Sequence, residues 1–101
     1  MEKLAILVVL EAKAGKEQEV ERFLTSALPL AEAERQTVRW YALKLSPSKF
    51  AIFDTFADQR GRDAHLSGEI AKALFAKAEE LFAKTPQVDQ PDILASKGSK
   101  A

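Results

Sequence analysis

Four polar side chains in the middle of the sequence have the chemical types that line small-molecule sites: Arg39, Tyr41, Asp54 and His65. A guanidinium, a phenol, a carboxylate and an imidazole can together bind a ligand, orient it and move a proton. His65 is the sole histidine and the candidate general base. Asp54 is the candidate catalytic partner, because a carboxylate inside a strand is costly to bury without a partner or a wet cavity.

The first three of these residues lie in a predicted β-hairpin. Two runs rich in aromatic and β-branched residues, 37–45 and 50–56, flank a Ser-Pro-Ser turn. A loop of two or four residues would place Tyr41 opposite Asp54, with Arg39 diagonal to Asp54 and within reach of it. Ile52 and Phe56 would share that face and supply an apolar wall for the ligand. The opposite face would carry Val38, Trp40, Ala42, Ala51 and Phe53, with Trp40 as an interface anchor.

Each candidate also has a structural interpretation. Asp54 can form a hydrogen-bonded pair with Arg39 or Tyr41 that only stabilises the fold. His65 follows on a short helix, where a histidine often caps or packs instead of acting as a base. One histidine and no cysteine give no basis for a dedicated transition-metal site, and no glycine-rich phosphate or dinucleotide motif occurs.

The order of elements that position these residues is strand, helix, strand, strand, helices, strand. Residues 4–10 form a continuous apolar run typical of a buried strand, and residues 16–28 have helical periodicity that Pro29 interrupts. Asp58 is the predicted cap of a short helix over 59–66. Ser67 can cap the next helix, and Thr85-Pro86 ends that helix. Residues 88–95 form a weak edge strand. This order predicts a ferredoxin-like α+β domain, βαββαβ, with an antiparallel sheet and helices on one face.

The second face of that sheet predicts self-association. The first strand is apolar on both sides, and the helices can cover only one. An uncovered apolar face costs several kcal/mol at about 25 cal/mol per Å². We therefore expect a homodimer, in which two sheets pack into an α/β-barrel.

Composition sets the remaining expectations. The 101 residues suit a single domain over 1–95 with a flexible polar tail over 96–101. Lys plus Arg and Asp plus Glu both total 15, so a nucleic-acid partner is not expected. The longest apolar run is far shorter than a membrane span, and a cytoplasmic location is expected.

The segment from Trp40 to Ser67 resembles the antibiotic biosynthesis monooxygenase family of dimeric α/β-barrels. Tyr41 and Leu43 match the pattern of the second strand in that family, Asp54 takes its acidic position, and His65 falls at the expected spacing. Phe56 stands where the family usually has tryptophan, and Glu69 replaces a second histidine.

The resemblance implies oxidation of a quinol-like or anthrone-like compound by dioxygen without metal, flavin or other cofactor. His65 would be the base, Asp54 would orient it or the substrate, and Tyr41 and Arg39 would hold a substrate oxygen. Two alternatives stay open: a non-catalytic, stress-related barrel that binds a small apolar metabolite, and an isomerase that moves protons through His65.

Overall fold

The structure is a computed structural model that describes residues 2–98. The elements follow in the order β1 Leu4–Glu11, α1 Glu17–Ser26, α2 Leu28–Ala33, β2 Thr37–Lys44, β3 Lys49–Phe56, α3 Gln59–Leu66, α4 Glu69–Ala76, α5 Ala78–Leu81 and β4 Gln87–Asp89. The strands form one four-stranded antiparallel sheet in the order β2-β3-β1-β4. The predicted ferredoxin-like α+β fold is confirmed.

The helices cover one face of this sheet, which we call the inner face. Side chains of β1 and β3 that point inward pack with α1, α4 and α5 in a single core of Ile6, Val8, Leu10, Phe50, Ile52, Phe56, Val20, Leu24, Leu74 and Leu81. Burial of such apolar surface is the main favourable contribution to folding. Asp54 alternates in phase with Ile52 and Phe56, so it also points inward.

Local sequence signals explain the helix boundaries. The predicted break near Pro29 occurs at Ala27, and Pro29 then lies in the first turn of α2, where its missing N–H costs nothing. Asp58 caps α3, since its Oδ1 accepts a hydrogen bond from the Gly61 N–H at 2.9 Å. The prediction that Ser67 caps the following helix was wrong, because Gly68 occupies the N-cap and no side chain caps that helix.

The last strand is shorter than predicted. β4 pairs with β1 over three residues only, and an isolated bridge between Leu4 and Asp92 continues the edge. The buried Arg62 on α3 helps to hold this edge, because its Nη1 donates to the backbone oxygens of Ala5, Gln90 and Pro91 at 3.3 Å each. Of the predicted tail, 99–101 lie outside the described residues.

The predicted hairpin register was wrong by one residue. Trp40 pairs with Asp54, and Tyr41 pairs with Phe53, because the loop places Lys44 opposite Phe50. A shift of one residue exchanges the faces of a whole strand. The ladder also contains a bulge between Thr37 and Arg39, where Val38 is the extra residue, so Thr37 and Trp40 both point inward.

The outer face of the sheet therefore carries a different set from the one predicted. Trp40 is half-buried against the core instead of anchoring an interface. Tyr41 (44% exposed) and Leu43 (41% exposed) lie on the outer face, where the Tyr41 ring stacks on Phe53 at 6.4 Å. Within residues 2–98, no helix is long and apolar enough to cross a membrane.

Candidate functional site

The candidate site is a row of three ionisable side chains under the inner face of the sheet. The Nε2 atom of His65 lies 2.8 Å from Oδ2 of Asp54, and the Nδ1 atom of the same ring lies 2.7 Å from Oε1 of Glu34. Asp54 is fully buried, the His65 side chain is 7% exposed and that of Glu34 is 19% exposed. The row thus leads from the core at Asp54 to the surface at Glu34.

The protonation state of His65 follows from this geometry. A neutral imidazole has one N–H, so one of the two carboxylates would face a bare ring nitrogen. An imidazolium carries an N–H on both nitrogens and so presents a positive N–H group to each carboxylate. Burial alone would lower the pKa of His65, but the contacts with Asp54 and Glu34 outweigh it and raise the pKa above the ordinary 6.5. Burial raises the pKa of Asp54, while the contact with His65 opposes that rise.

The surrounding elements hold His65 in place. The Phe56 ring packs against the imidazole with ring centroids 5.4 Å apart. Asp54 sits on β3, directly under α3, and both its carboxylate oxygens are buried without a hydrogen bond among residues 2–98, so the 2.8 Å approach of His65 Nε2 to Oδ2 is an ion-pair contact. The imidazolium is therefore the ionic partner of a carboxylate that is otherwise enclosed by core side chains.

Two glycines allow Glu34 to reach the ring. Glu34 follows α2 in an extended conformation, and the Thr37 hydroxyl donates to its Oε1 at 2.8 Å. A Cβ on Gly68 would stand 3.0 Å from Oε2 of Glu34, and a Cβ on Gly61 would stand 3.1 Å from the Gln36 backbone oxygen. A side chain at Gly61 would crowd the Gln36 backbone, and one at Gly68 would crowd the Glu34 carboxylate.

A cavity of about 390 Å³ opens beside His65 and Glu34. This volume is at the small end of ligand pockets. Its walls come from the end of α2, the segment leading into β2, and α3, with apolar contributions from Leu30, Ala33 and Ala64 and polar ones from Arg35, Gln36 and Glu69. A second cavity, also about 390 Å³, lies between α2 and the edge of β2, and Glu34 and Thr37 line both.

The structure brings together only part of the predicted site. Asp54, His65 and Phe56 are in contact, and Ile52 is buried in the core beneath them. The shared face predicted for Arg39 and Tyr41 with Asp54 was wrong. Both lie on the outer face, where Arg39 forms an ion pair with Glu2 at 3.4 Å.

Glu34 was missed by the sequence interpretation. It is 31 positions from His65 in the chain, outside any strand, and no local periodicity singles it out. The available signal was Gly61, an unfavourable residue inside a helix, which indicates a close approach of another segment.

Within residues 2–98, no group of three or more histidine, cysteine, aspartate or glutamate side chains is arranged to hold a metal ion.

Solved structures share this architecture. A crystal structure of an antibiotic biosynthesis monooxygenase matches with a TM-score of 0.77 and 14% identity, over 91% of this chain and 99% of that chain. PA3566 from Pseudomonas aeruginosa matches with a TM-score of 0.79 and 18% identity, over 94% of this chain and 97% of that one. The chain thus has the fold of the antibiotic biosynthesis monooxygenases.

One relative is much more similar in sequence. The NE2512 protein from Nitrosomonas europaea, itself of unknown function, is 50% identical, with a TM-score of 0.95 over 100% of this chain and 98% of that chain. The chain belongs to the same family as NE2512. No protein-family model and no curated protein sequence matches it.

Proposed function

We propose that this protein binds a small apolar or aromatic molecule in the cavity beside His65 and oxidises it with dioxygen, without metal or flavin. The observation that carries the proposal is the Asp54–His65–Glu34 row at the wall of a mostly apolar cavity. A row of this kind can accept a proton from a ligand, and the apolar part of the cavity wall can pack against an aromatic ring. The fold shared with antibiotic biosynthesis monooxygenases supports the same reaction class.

The reaction would convert a methylene group of an anthrone-like substrate into a carbonyl. In the enol form of such a substrate one methylene hydrogen is carried as a ring hydroxyl. Loss of that proton makes the substrate an electron-rich anion, which can pass an electron to dioxygen. One oxygen atom then enters the ring carbon, and the other leaves as water with the two hydrogens of the methylene. The protein residues supply the binding surface and the proton acceptor.

We also propose that the protein acts as a homodimer. The outer face of the sheet presents Leu7, Val9, Tyr41, Leu43 and Phe53, and no helix covers it in the described part of the chain. Wetting several such side chains costs a few kcal/mol at about 25 cal/mol per Å². A second copy offers the same apolar face and would cover this one symmetrically.

Oxygen uptake with a panel of quinols and anthrones tests the activity. The wild type should consume oxygen with at least one substrate, and His65→Ala should reduce the rate by at least tenfold. Ser67→Ala is the matched control. Ser67 is exposed at the end of α3, two residues after His65, so this variant should keep the wild-type rate. Equal rates in wild type and His65→Ala would remove His65 from the mechanism, and no uptake with any substrate would count against the reaction class.

A non-catalytic binding protein is the second candidate. The observation in its favour is that both ring nitrogens of His65 already contact carboxylates. Stabilisation of the fold would by itself account for such a row. This candidate expects thermal stabilisation by an aromatic ligand without turnover. Consumption of the ligand during the same measurement would exclude it.

A further inference from the structure

We infer that Glu34, through its Oε2 atom, is the residue that accepts the hydrogen bond and the proton of a ligand hydroxyl, and that His65 is a positioning residue. This inference rests on the proposed function, because it names the ligand contact and the ligand class of the same cavity. It changes the role of His65 from base to support.

His65 has no free nitrogen with which to act on a ligand. Nε2 lies 2.8 Å from Asp54 and Nδ1 lies 2.7 Å from Glu34. A base must reach the proton it removes within hydrogen-bond distance. A ligand in the cavity would have to displace one of the two carboxylates before it could meet the ring.

Glu34 has one oxygen engaged and one free. Its Oε1 receives the Thr37 hydroxyl at 2.8 Å and His65 Nδ1 at 2.7 Å. Its Oε2 meets no hydrogen-bond donor among residues 2–98 and lies against Gly68, which lines the cavity. Two donors on one oxygen fix the rotation of the carboxylate, so the free oxygen is held at the cavity wall.

The charges around the cavity select the ligand. Arg35 and His65 offset the charges of Glu34 and Glu69 around the cavity as a whole, but an anionic oxygen brought directly against the Glu34 carboxylate would be repelled, which argues against a carboxylate or phosphate group at that point. A neutral hydroxy-aromatic compound can donate its O–H to Oε2. When the O–H bond breaks, the proton moves to Oε2 and the electron pair stays on the ligand oxygen as an anion. Arg35, also on the wall, is the nearby cation for that charge.

The engaged oxygen makes Glu34→Gln an informative variant. The donors from Thr37 and His65 require an oxygen at the Oε1 position, so the amide NH₂ must take the Oε2 position. The cavity wall then changes from acceptor to donor, while size and shape are kept. A ligand that donates a hydrogen bond should lose affinity, and one that only accepts should gain it.

Binding of 1-naphthol and 1-methoxynaphthalene, followed by fluorescence, tests this inversion. Wild type should prefer 1-naphthol roughly tenfold to hundredfold, as for a hydrogen bond to a charged group, and Glu34→Gln should prefer the ether. Glu32→Gln is the matched control, because Glu32 is exposed on α2, two residues before Glu34, and does not line this cavity. It should keep the wild-type preference.

Two further variants separate positioning from simple structural support. The side-chain amide of His65→Asn can place an N–H near the Nδ1 position, so this variant should keep the preference for 1-naphthol, whereas His65→Leu should lose it.

Equal affinity of wild type for both probes, or an unchanged preference in Glu34→Gln, would overturn the role of Glu34 and leave the cavity as a binding site. Failure of wild type to bind either probe would instead overturn the proposed function.

Discussion

His65 Nε2 lies 2.8 Å from Oδ2 of Asp54, and this contact joins the only histidine of the chain to a carboxylate with no exposed surface. Asp54→Asn should lower the pKa of His65, because it removes a buried charge and leaves the desolvation of the ring less opposed. An NMR titration measures this directly, since the chain contains a single histidine.

The control for this titration is Asp63→Asn, because Asp63 is an exposed aspartate on α3, the helix that carries His65. Its charge lies in solvent, so the pKa of His65 should change little. A pKa that is unchanged in Asp54→Asn would show that the buried contact does not hold the imidazolium.

The free energy of unfolding should fall as pH rises above neutrality. The pKa of His65 is raised in the folded state, so its contribution is fully present below 6.5 and is lost as pH rises through the folded pKa. The slope is at most about 1.4 kcal/mol per pH unit for one proton. Asp54, whose pKa is raised chiefly by burial, gives a separate decline that begins near 3.8.

Urea denaturation across a pH series measures both declines. His65→Asn should remove the contribution of His65 and extend the Asp54 decline to higher pH, because the contact with His65 lowers the pKa of Asp54. A wild-type stability that is flat from pH 6.5 into the alkaline range would contradict the raised pKa of His65.

Gly68→Ala should disturb the site more than the fold. The backbone at Gly68 has φ −85°, which alanine adopts without strain, but the new Cβ would stand 3.0 Å from Oε2 of Glu34. Relief of that contact requires only a small shift of the carboxylate, which is the free end of a flexible side chain, so the unfolding free energy should change little. The pKa of His65 should fall as Glu34 moves away, whereas Ser67→Ala should leave it in place.

The proposed dimer predicts a species of twice 11.1 kDa in sedimentation at micromolar concentration. Leu43→Lys places a charge on the outer face and should shift the protein toward the monomer. Phe75→Lys is the matched control, since Phe75 is 51% exposed but lies on α4, away from the outer face. A wild-type protein that sediments as a monomer would contradict the dimer.

Element order was predictable from the sequence because hydrophobic periodicity is a local property. The run at β1, the alternation in β2 and β3, and the Asp58 cap each depend on a few neighbouring residues. The register between β2 and β3 was not predictable in the same way. It depends on one backbone conformation in the turn, and both possible registers place apolar residues on both faces.

Asp54 and His65 could be predicted as site residues from the sequence, whereas Glu34 could not. Asp54 and His65 stand out by type, one in a strand and one alone in the chain. Glu34 is one of many glutamates, and its importance comes from a tertiary contact that Gly61 and Gly68 permit. Close approach between distant segments leaves only an indirect trace in sequence, namely glycine where a helix would favour another residue.

Val38, the extra residue in β2, also affects whether separate molecules of this protein aggregate through the edge of the sheet. β2 is an edge of the sheet, and an edge strand with a regular row of unpaired N–H and C=O groups is a template for fibril growth. The bulge interrupts that row, while Thr37 keeps its place opposite Phe56. Deletion of Val38 would therefore leave the Thr37 hydroxyl near Glu34 and straighten the edge, so that solubility on prolonged storage would decline while the binding site survives.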